Sequence, residues 1–338
     1  LAQRYADDIR AELPEVDGIM GTGSYSEVVS VVEAVLAGDK PTRRGAISAP
    51  LYDTPRAVST GPNWAYLRIA EGCDNRCAYC VIPSLRGKFR SRTKESILEE
   101  ARLLAASGVK ELIIVAQDIT RYGIDLYGKV CLTELLKELC KLDFRWVRLH
   151  YLYPELIDDE LIDEIASEDK IVKYLDIPIQ HINDTILRRM NRRGTGEEIR
   201  ALFKKLRERI PGLVLRTSLI TGLPGEGEAE FEELCDFLRE AKIERAGVFP
   251  YSPEEGTPAA LMPDRCSTEE AQRRAELCME IQAEIMDGFA ETFIGRELDV
   301  LVMGREPDGT PWGRSEYDSP DIDSRVIFSG DAAPGDMV

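Results

Sequence analysis

Hydrophobic and polar positions along the chain fall into three regimes. In the first, residues 2–13 carry apolar side chains at helical spacing up to Pro14, residues 16–20 form a short apolar run, and residues 24–36 are periodic again with Ser24 placed as an N-cap. One such unit cannot bury its own faces, so it reads as the end of a larger α/β domain. Residues 38–62 mix Gly, Pro, Arg and Ser without periodicity and read as a linker. In the second regime strand-like runs at 65–70, 111–116, 146–152, 172–177, 213–220 and 246–251 alternate with helix-like runs at 94–106, 132–140, 159–166, 196–209, 228–241 and 268–293. Six strand–helix repeats predict a parallel α/β sheet, doubly wound or curled into a partial barrel, with its chemistry at the carboxyl ends of the strands. In the third, short strands at 298–303 and 325–328 are punctuated by Gly304, Asp308-Gly309, Pro311, Gly313, Pro320 and Gly330, which predicts a small all-β barrel. The expected domains are 1–61, 62–290 and 291–338.

Composition narrows the partners. The 338 residues hold 43 basic and 61 acidic side chains, a net charge of −18, and such a surface repels phosphate backbones. No apolar run approaches the length of a membrane span. Eight cysteines and two histidines, three of the cysteines crowded into eight residues, do not resemble a secreted disulfide framework, and they point to a reducing cytoplasm. The absence of an initiator methionine at Leu1, and a strand expected to begin at residues 335–338, give the expectation of a fragment.

The chemistry concentrates in Gly72-Cys73-Asp74-Asn75-Arg76-Cys77-Ala78-Tyr79-Cys80, a C-x3-C-x2-C array directly after the first strand of the repeat. Three thiolates on one loop can ligate three irons of a [4Fe–4S] cluster and leave the fourth open, whereas structural zinc wants four ligands and no fourth lies nearby. A zinc-stabilised, non-catalytic protein-binding module is the alternative of another class. Arg86-Gly87-Lys88-Phe89-Arg90-Ser91-Arg92 follows, with four cations and no acid, suited to gripping an anion or an adjoining domain, or to a solvated loop. Gln117-Asp118 ends the second strand and serves equally as a hydrogen-bonding pair or a turn. His150 and His181, each near a strand end, read as hydrogen-bonders before catalysts.

The cysteine array and the repeat resemble the radical S-adenosylmethionine enzymes and their partial (βα)6 barrel. The Arg86–Arg92 run, Ala116-Gln117-Asp118, residues 149–154 and 176–181, and Val248 to Thr257 resemble the methylthiotransferases within them, closest to the type that modifies an aspartate of a ribosomal protein. That resemblance implies a [4Fe–4S] cluster on Cys73, Cys77 and Cys80, with S-adenosyl-L-methionine chelated to its open iron. It also implies cofactor contacts from Tyr79, Gln117, Asp118, Ser218 and Gly222, and a methylthio group placed on the β-carbon of an aspartate in the twelfth small-subunit ribosomal protein. A transfer-RNA adenosine methylthiotransferase is the alternative within the class. Residues 291–338 resemble a TRAM module and hold eleven acids against four arginines, which suits a basic ribosomal protein better than RNA. The family also has an N-terminal domain with a second cluster that handles sulfur. Residues 1–37 resemble its end and contain no cysteine, so this fragment is expected to cleave the cofactor without transferring sulfur. An electron donor such as a reductase is implied. The other cysteines read as core residues.

Overall fold

The computed structural model describes residues 2–48, 57–61 and 63–338. Six strands, β1 (Trp64–Arg68), β2 (Glu111–Val115), β3 (Trp146–Leu149), β4 (Ile171–Asp176), β5 (Val214–Thr221) and β6 (Arg245–Pro250), form one parallel sheet in sequential order. A doubly wound sheet needs a reversal of strand order, and none occurs, so the arrangement is a partial barrel with β1 and β6 as unpaired edges. Helices α1 (Lys94–Ala106), α2 (Leu132–Leu139), α3 (Asp159–Ser167), α4 (Gly196–Arg209), α5 (Glu228–Ala241) and α6 (Thr268–Glu291) follow the strands in turn.

Alternation sorts the strand side chains. Leu67, Leu112, Ile114, Val147, Leu149 and Leu215 turn outward into one core with the helices, whose buried stripes recur at helical spacing, as Ile97, Ala101 and Leu104 do on α1. Side-chain caps set several helix starts: Thr93 accepts from Ser96 N, Asp158 from Leu161 N, Ser267 from Glu270 N, and Thr195 makes a capping box with Glu198.

The opposite, lumen-facing positions are polar to an unusual degree, and the C-terminal module satisfies them. Strands β7 (Val300–Arg305), β8 (Pro311–Ser315) and β9 (Val326–Ile327) form an antiparallel sheet, and residues 335–338 bond back to Val300 and Val302. Residues 314–323 enter the amino end of the barrel. Glu111, fully buried, accepts from Arg148 at 2.6 Å and from Arg314. Arg245 binds Asp318 at 2.8 Å, Tyr174 donates to Asp323 at 2.6 Å, and Ser319 Oγ meets His150 Nε2 at 3.1 Å. Burial pushes the Glu111 carboxyl up, but the two guanidinium groups outweigh it and hold it below the usual range. Burial, then Arg148 and Arg216, push His150 down to about 3, so it is neutral.

Residues 2–48 pack over the carboxyl end. Ile19–Met20 and Thr42–Arg43 pair in parallel beside the helix Val28–Leu36. This segment touches the loops beyond both edge strands. Arg4 and Tyr5 bond Glu254 and Glu255 after β6, while Thr22 and Tyr25 bond Leu85 O and Arg86 after β1.

Several sequence expectations need correction. Ser24 caps no helix: its hydroxyl accepts from Gly45 N at 2.7 Å, and Val28–Leu36 starts beyond a 3-10 turn. The presumed linker 38–62 contains the Thr42–Arg43 strand, and its residues 49–56 and 62 lie outside the described residues. The first barrel strand stops at Arg68, and Ala70–Glu71 pairs antiparallel with Arg90–Ser91. The helix Asp184–Arg189 and strand β8 were not anticipated, β8 because Pro311 and Gly313 lie inside it and read as turn residues.

Candidate functional site

The cysteine array occupies a loop clipped at its base by the Ala70–Glu71/Arg90–Ser91 pair, at the carboxyl end of β1. Gly72 opens it at φ +82, and a Cβ there would meet Lys88 O at 2.2 Å, so the loop closes on itself only with glycine. Cys73 N donates to Gly87 O, Phe89 N to Asp74 Oδ1, and Asn191 Nδ2 to Arg76 O at 2.7 Å. Ala78 is bonded on both sides, its N to Met190 O and its O from Ala259 N, which pins the middle of the array to the segments beyond β4 and β6.

The second strand supplies the loop's other support. Gln117 Oε1 accepts from Gly72 N at 2.7 Å, and Asp118 accepts from Asn75 Nδ2 at 2.9 Å while capping the turn Ile119–Arg121 through Thr120 N. Burial raises the Asp118 carboxyl despite these bonds. Both residues therefore hold the cysteine loop in place. Tyr79 packs half-buried against Ala78, Ile186, Leu223 and Tyr251, and burial pushes its phenol up. Ser218 lies half-buried on the lumen face near the end of β5, and its hydroxyl has no hydrogen-bond partner among the described residues. Gly222 is placed differently. A Cβ there would lie 2.4 Å from Ala271 Cβ, and its N is held by Glu226, so the glycine lets α6 approach the β5 end.

Two residues that the sequence did not single out complete the surroundings of Cys77. Tyr153 OH lies 3.7 Å from its sulfur, and Arg192 Nη1 lies 4.0 Å from it. The Arg192 guanidinium also covers the Tyr153 ring at 4.2 Å and donates to Pro178 O at 2.7 Å. It is buried, its Nε has no partner, and no carboxylate forms an ion pair with it among the described residues. A buried cation without an anion, set against a thiol, fits a loop whose thiols become thiolates around a metal cluster. Burial raises the free Cys73 thiol to about 11 and raises Cys80 as well, so loading a metal here releases protons. Among the described residues no three His, Cys, Asp or Glu side chains close around a single ion. Three thiols serving three separate irons need not converge as the ligands of one zinc must.

The other candidates have structural partners. Arg86 binds Tyr25 and Glu71, and Arg92 turns inward to Glu100 and Arg68 O, so part of the basic run joins the N-terminal segment and part joins the core. His181 accepts from Asn183 N and faces Glu226 at 3.4 Å. Of the outlying cysteines, Cys131, Cys140, Cys235 and Cys278 are buried.

Residues 67–238 match the Radical SAM superfamily and residues 294–338 the TRAM domain. The chain is 48% identical, over all of its length and 78% of the relative's, to the ribosomal protein uS12 methylthiotransferase RimO of Caldanaerobacter subterraneus subsp. tengcongensis. It is 51% identical, over all of its length and 77% of the relative's, to the RimO of Pelotomaculum thermopropionicum. The chain belongs to the RimO family. Its barrel matches solved radical S-adenosylmethionine enzymes at the level of fold. The methyltransferase TsrM of Kitasatospora setae superposes with a TM-score of 0.54 at 18% identity, covering 72% of this chain and 52% of that one. The coproporphyrinogen III oxidase HemN of Escherichia coli gives 0.50 at 20% identity, covering 67% and 54%. RimO proteins are transferases, so the binding-module alternative falls away, and the relatives named for uS12 favour a protein substrate over transfer RNA. No helix among the described residues is long and apolar enough to cross a membrane.

Proposed function

We propose that this RimO-family protein adds a methylthio group to the β-carbon of an aspartate in ribosomal protein uS12, using a [4Fe–4S] cluster on Cys73, Cys77 and Cys80 together with S-adenosyl-L-methionine. The observation that carries the reading is a three-cysteine loop at the carboxyl edge of a sequentially ordered parallel barrel, in a chain about half identical to uS12 methylthiotransferases. When bound, the cluster and S-adenosylmethionine supply one-electron chemistry able to remove a hydrogen atom from an unactivated C–H bond. Such a hydrogen is beyond any side-chain base at neutral pH, which agrees with two histidines being held in neutral or structural roles.

The chain's own residues position and enclose. Gln117 and Asp118 fix the cysteine loop through Gly72 and Asn75. Arg192 places a fixed positive charge beside Cys77. Tyr79, half-buried beside the cysteine loop, and Ser218, half-buried on the lumen face of β5, are assigned as cofactor contacts, and Gly222 shapes the end of β5. Residues 314–323 fill the amino end of the barrel and shut water out from below. The acidic C-terminal module suits a basic ribosomal protein, on or off the small subunit, and argues against nucleic acid as the direct substrate. Asp318, Asp323 and Arg314 turn into the barrel, and the remaining charges there are predominantly acidic. The cysteine usage supports a reducing cytoplasm, where a reductase would supply electrons.

The reading includes a second cluster for sulfur, bound outside residues 1–338. The test is anaerobic reconstitution with iron and sulfide, followed by EPR of the reduced protein with and without S-adenosylmethionine and mass analysis of uS12. A [4Fe–4S]⁺ signal perturbed by the cofactor, with cofactor cleavage and unmodified uS12, is expected for residues 1–338. Zinc without iron, or an unperturbed cluster, would remove the mechanism. Methylthiolated uS12 from these residues would remove the second-cluster requirement.

A further inference from the structure

Strand β3 ends in an irregularity that the cysteine loop does not explain. Trp146 and Arg148 face the lumen side, Val147 and Leu149 the helices, and His150 the lumen again, where it meets Ser319 and stacks on Tyr174. Strict alternation would send Tyr151 outward among the helices. Instead Tyr151 adopts φ +63, and the next residue, Leu152, takes the fully buried outward place. The Tyr151 ring stays on the lumen side with its neighbours there. Its centroid lies 6.4 Å from that of His150, and burial first, then Asp321 and Tyr151, raise the phenol of lumen-facing Tyr66. It is 46% exposed although it stands at the barrel mouth between buried residues on both sides.

A left-handed backbone is unfavourable for an aromatic residue and persists only when neighbours impose it. Here they do. Tyr151 N donates to Asp176 Oδ2 at 3.3 Å, Asp176 is held by Arg216 at 2.7 Å, and Tyr151 O accepts from Ile119 N at 3.1 Å. Three strand ends thus hold one strained residue so that a large aromatic ring, whose hydroxyl has no hydrogen-bond partner among the described residues, stands open to the mouth. At the same end of the barrel Phe249 of β6, 55% exposed, also faces the lumen, by alternation with Arg245 and Gly247. Core packing explains neither ring.

We infer that Tyr151 is a substrate-contact residue whose ring lies against the polypeptide segment of the basic protein substrate, with Phe249 as the second apolar contact. The inference rests on the proposed function and names the part of the site that function leaves open. Aromatic faces suit a basic peptide, since a lysine or arginine stem packs on the ring and its cation on the π-face.

The test uses the reconstituted chain and a synthetic peptide carrying the target loop of uS12. Peptide affinity is read by fluorescence anisotropy, and iron content and melting temperature are read alongside. Tyr151→Gly removes the ring and takes up φ +63 without steric cost, so it should melt at or above the wild-type temperature, retain iron, and bind the peptide at least ten-fold more weakly. Tyr151→Phe should stay within about three-fold of wild type if the ring makes the contact. A Tyr151→Gly protein that binds the peptide as wild type does, or that melts lower and loses iron, overturns the role given to Tyr151. A wild-type protein that carries its cluster but binds no uS12 peptide overturns the proposed function itself, and the two failures are therefore distinct.

Discussion

At the scale of single residues, the interior charges of this protein matter more than its exposed ones. Arg192 is buried over Tyr153 and beside Cys77, with no carboxylate paired to it among the described residues, so an anionic loop is its natural counterpart. Replacing it by glutamine should lower the iron and sulfide retained after reconstitution and challenge with a chelator by several-fold, with little change in fold. Retention equal to wild type would remove Arg192 from the site. His150 makes a prediction about acid. An unfolded histidine titrates near 6.5 and the folded one at about 3, so the unfolded chain binds the proton first as pH falls. The stability contributed by neutral His150 is complete above about 6.5 and is lost progressively toward about 3, which amounts to about 2 kcal/mol at pH 5. Urea midpoints at pH 7 and pH 5 should show that loss in wild type and not in His150→Gln. The cysteines were legible in the sequence because their spacing is itself the signal. Arg192 and Tyr153 were not, because their meaning arises only where the ends of β3 and β4 meet the loop after β1.

At the scale of elements, the α1, α4 and α5 boundaries match the sequence reading: Thr93 and Thr195 cap the starts of the first two, and amphipathic spacing delimits all three. Strand ends were less legible wherever function bends them. The first barrel strand reads as continuous to residue 70 but breaks at Arg68 so that a two-residue clip can carry the cysteine loop, and β3 stops at Leu149 ahead of Tyr151. Gln117-Asp118 shows a related limit: the family resemblance implies cofactor contacts for both, and only the structure adds that they brace the cysteine loop through Gly72 and Asn75. The loop itself offers a test. Gly72→Ala must place a methyl 2.2 Å from Lys88 O at φ +82. The loop should shift, and the protein should retain less than half the wild-type iron while α1 to α6 keep their far-UV circular dichroism. Full iron retention would show that the loop tolerates another closure.

At the scale of the whole molecule, the C-terminal module is part of the barrel's interior. Arg314 reaches across to Glu111, and removing one partner of a buried ion pair leaves an uncompensated charge. Arg314→Leu should therefore cost about 3–5 kcal/mol in urea unfolding, and should open residues 292–299 to proteolysis before the barrel itself. A loss below about 1 kcal/mol would mean that the module is merely tethered. None of this was legible from charge counting, which treated Asp318, Asp323 and Arg314 as surface. The segment before the barrel has a mechanical consequence as well. A complete eight-stranded ring is kept round by its own ladder, but an arc of six has two free ends that can spring apart. Arg4 and Tyr5 grip one end and Thr22 and Tyr25 the other. They act as a tie-rod across the gap, so the width of the opening, and with it the span between the cysteines and the far wall, is set by residues that belong to neither.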